Sequence, residues 1–315
     1  MSSLGFESTA DDVLAGVDLR GTRIVVTGAS AGLGVETTRA LAACGASVTM
    51  AVRDLTKGAV AMEEIQAAVP DADLELRPVD LADLSSVRTF ADGFLEDHDR
   101  LDVLIANAGL MACPYGTTVD GFELQWGTNH LGHFLLITRL LPALLAAGAD
   151  GGARVVLLSS AGHRFSDIDL TDPGFEHTEY DPWFSYGRAK TANILTAVGL
   201  DQRYRDRGVR AFAVHPGGIH TELGRHLTDE ALKALMDRMP PGDKTPWKTI
   251  PQGAATSVYA ATSPDLDGQG GVYLEDCHVG TPTDDPLARS GVRAYALDPA
   301  SADALWTYSE QAVGA

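Results

Sequence analysis

Tyr186 and Lys190 stand four residues apart in a segment patterned as a helix, so a phenol and an ammonium share one face. A phenol with a pKa near ~10 is a poor base at neutral pH. A neighbouring ammonium favours the phenolate and brings the pKa towards working pH, where acid–base catalysis is most efficient. The pair is a candidate proton donor and acceptor, although a Tyr–Lys pair at this spacing is by itself commonly a solvated surface pair. Ser160 closes an apolar run and could donate a hydrogen bond to a carbonyl oxygen as charge develops there; its plain alternative is a turn serine. Ser159 comes one residue earlier and should face the other way if the run is a strand. Asn129 lies in a long helical pattern, where a buried, hydrogen-bonded asparagine is the plain alternative.

A second chemistry is written near the start. Arg23–Thr27 is β-branched and runs into Gly28-Ala29-Ser30-Ala31-Gly32-Leu33-Gly34, followed by a helical pattern. Glycines permit a tight turn and close backbone approach, and a helix N-terminus offers free N–H groups to a pyrophosphate. The spacing G-x-x-x-G-x-G differs from the general dinucleotide fingerprint. Twenty-odd residues on, an acid would bind a ribose 2′-hydroxyl and a base a 2′-phosphate. The second strand ends Val52-Arg53-Asp54. Arg53 can grip a phosphate with two parallel hydrogen bonds. Asp54 is either a shifted ribose acid or the N-cap of the next helix, and the cap is preferred. The cofactor expected is NADP(H).

These groups need a scaffold. Short apolar runs at Ser47–Val52, Leu74–Val79, Leu101–Ala106, Arg154–Ser159, Val209–Val214 and Gly271–Leu274 alternate with helical patterns. The helical patterns are Gly32–Cys44, Leu55–Ala68, Ser85–Asp97, Asp120–Ala147, Trp183–Arg205, Ala254–Ala261 and Ala302–Val313. Such alternation implies βαβ units, right-handed crossovers and an α/β, doubly wound parallel sheet in three layers, a Rossmann fold of one domain. The catalytic domain is expected over 21–280. Before it comes an extension, 1–20, with a short helix at Thr9–Leu14; after it comes a tail and helix, 281–315. Ala161–Pro182 and His220–Gln252 break the alternation and are expected to be lids or binding loops. Leu223, Leu227, Leu232, Leu235, Met236, Met239 and Trp247 make the lobe at 220–252 either an apolar pocket wall or a packed surface helix.

Taken in order, these residues resemble the short-chain dehydrogenase/reductase family. Thr27-Gly28-x-x-x-Gly32-x-Gly34 opens the series and Asp80-Leu81 ends the third strand. Asn107-Ala108-Gly109 ends the fourth, with Ala106 where the family usually has another Asn. Asn129, Ser159-Ser160, Tyr186-Gly187-Arg188-Ala189-Lys190 and Pro216-Gly217 with Thr221 follow. The resemblance spans about residues 20–275. It implies a catalytic tetrad of Asn129, Ser160, Tyr186 and Lys190, with Ser160 rather than Ser159 as the catalytic serine and Asn129 holding a water that relays protons towards Lys190. It implies a cofactor seated by Gly28, Ser30, Ala31, Gly32, Leu33, Gly34, Arg53, Asp80, Leu81, Asn107, Ala108, Gly109, Tyr186 and Lys190. Pro216, Gly217, Ile219 and Thr221 would border the nicotinamide. The NAD-type acid of the family would stand at Val52, which is apolar. The implied reaction interconverts a carbonyl and an alcohol. The 25 residues between Ser160 and Tyr186, with Asn129-His130-Leu131-Gly132-His133-Phe134, resemble the retinol dehydrogenase-like and WW-domain oxidoreductase-like branch. A retinoid substrate does not carry over. A non-catalytic dinucleotide sensor and a double-bond reductase on the same scaffold remain alternatives.

The chain has 315 residues, 45% of them apolar, with 24 basic and 43 acidic side chains, a net charge of -19. That surface disfavours nucleic acid and anionic membranes as partners; the apolar lobe and the resemblance imply a small apolar or aromatic carbonyl or alcohol substrate, and a homo-oligomer is left open. No run is expected to approach the ~20 apolar residues of a membrane span. Three scattered cysteines, Cys44, Cys113 and Cys277, point to a reducing cytoplasm and not to a disulfide framework. His130 and His133 lack a carboxylate or thiol companion, so no metal is expected.

Overall fold

The β-branched runs become strands because both their faces are buried. The computed structural model describes residues 4–221, 223–224, 227, 229–238 and 247–314. Its strands are β1 (Arg23–Thr27), β2 (Ser47–Val52), β3 (Asp73–Pro78), β4 (Val103–Ala106), β5 (Ala153–Leu158), β6 (Val209–His215), β7 (Val272–Glu275) and β8 (His278–Val279). They form one sheet in the order β3-β2-β1-β4-β5-β6-β7-β8, parallel except for the β7–β8 pair. The short antiparallel β8 lay outside the expected alternation.

Successive strand residues point to opposite faces, and this divides the core in two. Val25, Leu104, Val155 and Ala211 join one cluster, whereas Ile24, Val26, Ile105, Val156 and Phe212 join the other. The first cluster is covered by α4 (Leu84–Asp97), α5 (Gly132–Gly148), α6 (Pro182–Tyr204) and α9 (Pro299–Val313). The second is covered by α1 (Ala10–Val13), α2 (Gly32–Ala43), α3 (Leu55–Ala68) and α8 (Ile250–Thr262). The remaining described helix, α7 (Asp229–Arg238), lies in the lobe after β6. Strand order switches sides between β1 and β4, and the crevice at the carboxyl ends of such strands is where α/β sheets take ligands.

Most helix starts follow from single residues. Thr9, Asp54, Asp83, Asp181, Thr249 and Asp298 each accept a backbone N–H at the N-terminus of α1, α3, α4, α6, α8 and α9. The helix expected from Asp120 begins later, with a π-helical stretch at Trp126–Leu131 leading into α5. Tertiary contacts set that irregularity. The Asn129 carboxamide pairs with both backbone groups of Leu110, at 2.7 and 2.9 Å. Gly132 passes so close to the Leu81 carbonyl that a Cβ would stand 2.3 Å from it. Against the expectation that no run approaches a membrane span, the helix Leu124–Gly148 has a mean hydropathy of 1.6 in its most apolar window, enough by length and composition to cross a membrane. In this fold 61% of its most apolar window is buried inside the protein.

The chain after β8 folds back over the first cluster. Trp306 of α9 packs edge-on against Phe134 at 4.9 Å, and Ser309 meets His130 Nε2 at 2.8 Å. The N-terminal extension lies on the other face, where Gln252 of α8 donates to the Glu7 carboxylate at 2.9 Å.

Candidate active site

The turn after β1 is shaped by what cannot fit there. Gly28 has φ +68°, and a Cβ on it would lie 2.9 Å from the Ala108 Cα. A Cβ on Gly34 would lie 2.2 Å from the Gly28 carbonyl oxygen. Both collisions are with backbone, so only glycine fits. Ala31 occupies the N-cap of α2, and no side chain caps that helix, in contrast to the six capped above. Its free N–H groups and positive dipole end therefore open onto the turn. Ser30, Thr56 and Lys57 line a shallow groove that continues from the turn along α3. Asp54 caps α3 through the Thr56 and Lys57 N–H groups at 2.9 and 3.1 Å. Arg53 is exposed and has no hydrogen bond or ion pair among the described residues.

Thr27 ties this turn to the next strand end. Its hydroxyl oxygen accepts the N–H groups of Asn107 and Ala108 at 2.9 and 3.0 Å, and its carbonyl accepts the Asn107 side-chain amide at 2.8 Å. The hydroxyl proton is left for His133 Nε2 at 2.9 Å, while His133 Nδ1 donates to the Asn129 carbonyl at 3.0 Å. His133 is thus a neutral Nδ1–H imidazole bridging the phosphate turn and the Asn129 helix. Burial holds its pKa down to about 4 and that of His130 to about 3. Both rings are packed core groups joined to protein partners.

Four residues anticipated as catalytic approach one another beyond that bridge. Gly109 is the measure of their convergence: a Cβ there would lie 3.2 Å from Asn129 Oδ1 and 3.6 Å from Lys190 Nζ. Gly162 gives a second, with a Cβ position 2.8 Å from Tyr186 Cε1 and 3.4 Å from Ser160 Oγ. Ser160 accepts the Gly162 N–H at 3.0 Å, keeps its own proton to donate, and hydrogen-bonds the Tyr186 phenol. Ser159 points away, as its alternation with Ser160 requires, and donates to the Lys190 carbonyl at 2.9 Å. Lys190 Nζ lies 5.6 Å from the Tyr186 ring centre and donates to the Leu158 carbonyl at 2.9 Å.

The electrostatics differ from the simple expectation that Lys190 lowers the Tyr186 pKa. Burial pushes the phenol up to about 12, the Ser160 hydrogen bond opposing it, and burial alone brings Lys190 down to about 8. Desolvation disfavours each charged form, and it outweighs an ammonium directed at a carbonyl rather than at the phenol. Asn129 is anchored by Leu110 through its carboxamide and accepts the His133 Nδ1–H at its carbonyl, which leaves one carboxamide N–H and a lone pair on the carboxamide oxygen for a water.

The other anticipated residues frame this centre. Asp80 and Leu81 form the turn into α4, with the Asp80 carboxylate accepting the Ala82 N–H at 2.9 Å. Beyond β6, Gly217 rests on the Lys248 side chain, and Ile219 meets Leu33 over Gly253. A Cβ on Gly32 would stand 3.5 Å from the Thr221 side chain, so Pro216–Thr221 lies beside the glycine turn. Lys248, with its side chain 1% exposed, pairs with Asp276 at 2.5 Å beneath that segment.

The apolar wall is more specific than the sequence implied. Ala112, Trp183 and Tyr186 form a buried cluster against which Met111, Phe165, Leu227, Ala234 and Leu235 pack. Leu227 and Leu235 were anticipated; Leu232 and Trp247 are exposed, Trp247 stacking on His220 at 3.9 Å. Leu223 is half-buried. The Met236 side chain and Met239 lie outside the described residues. Trp183, three residues before Tyr186 and edge-on to it at 6.2 Å, was legible from i,i+3 spacing, as Lys57 was from its place one turn beyond Arg53.

Comparison with known proteins gives the same direction. Residues 22–232 match the family described as short chain dehydrogenase. The chain is 44% identical over 304 residues to the "Probable oxidoreductase" of Streptomyces lividans, covering 95% of this chain and 100% of that one. It is 39% identical over 299 residues to human retinol dehydrogenase 12, covering 95% and 88%. A crystal structure of an uncharacterised protein from Mycobacterium Paratuberculosis superposes with a TM-score of 0.73 at 38% identity, over 97% of each chain.

Proposed function

Given a chain that belongs to the short-chain dehydrogenase/reductase family of oxidoreductases, whose members work with NAD(P), we propose that it is an NADP(H)-dependent enzyme interconverting a carbonyl and an alcohol. The observation that carries this reading is the convergence of Ser160, Tyr186 and Lys190 beside a glycine cradle and an uncapped α2 N-terminus. The cradle fits a dinucleotide: its backbone approaches are closed to any Cβ, and its helix end offers N–H groups to phosphate. Gly28, Gly32, Gly34 and the first turn of α2 would hold the pyrophosphate, Arg53 and Lys57 the 2′-phosphate, and Asn107–Gly109 with Pro216–Thr221 the nicotinamide half. When bound, the cofactor supplies or accepts the hydride.

The chain's own groups do the rest. Ser160 donates a hydrogen bond to the substrate oxygen. Tyr186, protonated at neutral pH by its burial, gives that oxygen its proton in reduction and removes it in oxidation. Lys190, a buried ammonium, steadies the phenolate that remains. Met111, Phe165, Trp183, Leu227 and Leu235 favour an apolar or aromatic substrate. The acidic surface disfavours nucleic acid and membranes as partners, and the three thiols fit a reducing cytoplasm.

The test is a screen of NADPH and NADH oxidation over aromatic ketones, aldehydes and quinones in the dark, with Tyr186→Phe as control. Turnover of a carbonyl by wild type, falling by about 10²–10⁴ in Tyr186→Phe with cofactor affinity kept, is expected. A variant retaining a tenth of wild-type turnover would remove Tyr186 from the chemistry, and product from a carbon–carbon double bond would move the reaction to another class.

A further inference from the structure

The chain returns to the catalytic serine long after it has left it. His163, three residues beyond Ser160, is fully buried. Its Nδ1 lies 2.7 Å from the Ser160 carbonyl oxygen, and its Nε2 lies 3.1 Å from the backbone N of Arg293. A carbonyl only accepts and a backbone N–H only donates. One tautomer satisfies both: the proton on Nδ1, the lone pair on Nε2. The His163 carbonyl in turn accepts the Tyr295 hydroxyl at 2.7 Å and the Thr191 hydroxyl at 3.1 Å. Next in sequence, Arg164 donates to the carbonyls of Ala288, Arg289 and Gly291 at 3.3, 3.1 and 2.8 Å. On the other side, Gly162 donates to Ser160 Oγ and lies against the Tyr186 ring. Three consecutive residues thus join the serine hydroxyl, the serine carbonyl and the segment 288–295.

We propose that His163 is a positioning residue for Ser160, and that residues 288–295 belong to the active site because they immobilise its imidazole. The inference rests on the role assigned to Ser160 above. Rotation of the peptide after Ser160 would turn its carbonyl away from Nδ1 and its Gly162 donor away from Oγ. With the ring held at Nε2 and at its carbonyl by Arg293 and Tyr295, that rotation is blocked. The hydroxyl then stays aimed at the oxygen to which Tyr186 delivers its proton. The serine stands at a strand end, followed by a 3₁₀ turn at Ala161–Phe165; the Ala161 N–H of the same peptide donates to His215 Nδ1 at 3.2 Å and the His163 N–H to the Ser160 carbonyl at 3.1 Å, and the His163 ring adds the link to residues 288–295.

An effect that acts through Ser160 must vanish when the Ser160 hydroxyl is gone. The experiment compares His163→Gln and Tyr295→Phe with and without Ser160→Ala in the full-length protein, using NADPH and benzaldehyde as the probe. His163→Gln puts a carboxamide in place of the imidazole and moves the donor off the Ser160 carbonyl; Tyr295→Phe removes one hydroxyl and is the safer fold. In the wild-type background kcat should fall about tenfold for His163→Gln and about threefold for Tyr295→Phe, with KM and cofactor affinity within about twofold. In the Ser160→Ala background both substitutions should cost less than about twofold. Equal losses in the two backgrounds, or no loss in wild type, would overturn the proposal. Wild-type kcat in Ser160→Ala alone would instead overturn the role of Ser160. A second measurement needs no substrate: hydrogen exchange at the Gly162 amide should quicken about tenfold in Tyr295→Phe, and faster exchange confined to 288–295 would also refute the coupling.

Discussion

Arg53 and Asp54 sit side by side where the adenosine ribose of a dinucleotide would lie, and their charges answer different needs. Asp54 is engaged at the start of α3 through two backbone N–H groups. Arg53 has no partner among the described residues in a protein with 43 acidic side chains. Removing it should weaken NADP binding by roughly ten- to a hundredfold, the equivalent of ~1.5–3 kcal/mol for a charge-assisted hydrogen bond, and leave NAD binding unchanged. Titration of wild type and Arg53→Ala with both dinucleotides checks this; an equal fall for both would make Arg53 structural. Lys190 permits a prediction of pH dependence. Its ammonium is lost as pH rises through about 8, well below the ordinary lysine value. Carbonyl reduction should therefore decline above that pH, read from kcat between pH 6.5 and 9.5. Asn129, Ser160, Tyr186 and Lys190 were singled out in the sequence by their types, spacing and order along the chain, and the structure brings them close to one another. His133 and His163 were not legible in these roles, since their partners Thr27 and Arg293 lie 106 and 130 residues away.

At the scale of elements, the β7–β8 connection is the strained piece. Asp276 and Cys277 adopt φ +47° and +58°, a region most side chains avoid and in which two-residue hairpin turns usually place Asn-Gly. The strained turn delivers the Asp276 carboxylate to the buried Lys248 ammonium under Pro216–Thr221. Asp276→Asn keeps a residue tolerant of that backbone but leaves Lys248 without its counter-charge. Because Asp276 is a third exposed, the loss belongs at the lower end for a broken buried pair, about 2–3 kcal/mol. Denaturant unfolding measures it, and an unchanged midpoint would mean that water replaces the carboxylate. The parallel strands could be read to within two residues because their apolar runs are bounded by turn-forming residues. The π-helical stretch before α5 could not, since it answers to Leu110 and Leu81 and not to its own side-chain periodicity. For the same reason β8, only two residues long, left no pattern.

Three histidines of the core are buried neutral. His130, His133 and His163 are at most 1% exposed, and burial lowers them to about 3, 4 and 3. Unfolded, each would titrate near ~6.5. Below that pH the unfolded chain binds protons that the folded chain refuses, so stability falls as the solution is acidified. The loss begins near pH 6.5 and is complete only near 3–4, at up to ~1.4 kcal/mol per pH unit for each ring. Urea unfolding at pH 7 and pH 5 should show a drop of several kcal/mol, and a flat profile would mean that the imidazoles take up protons without unfolding. The same buried ring has a consequence for how the protein is made. Arg293 emerges from the ribosome 130 residues after His163, a delay of roughly six to twenty-six seconds at ordinary rates of translation. For most of that interval the glycine turn, Ser160 and Tyr186 already exist in the nascent chain, while the segment that closes over His163 does not. Turnover should thus stay below its final rate until residues 288–295 are synthesised and docked.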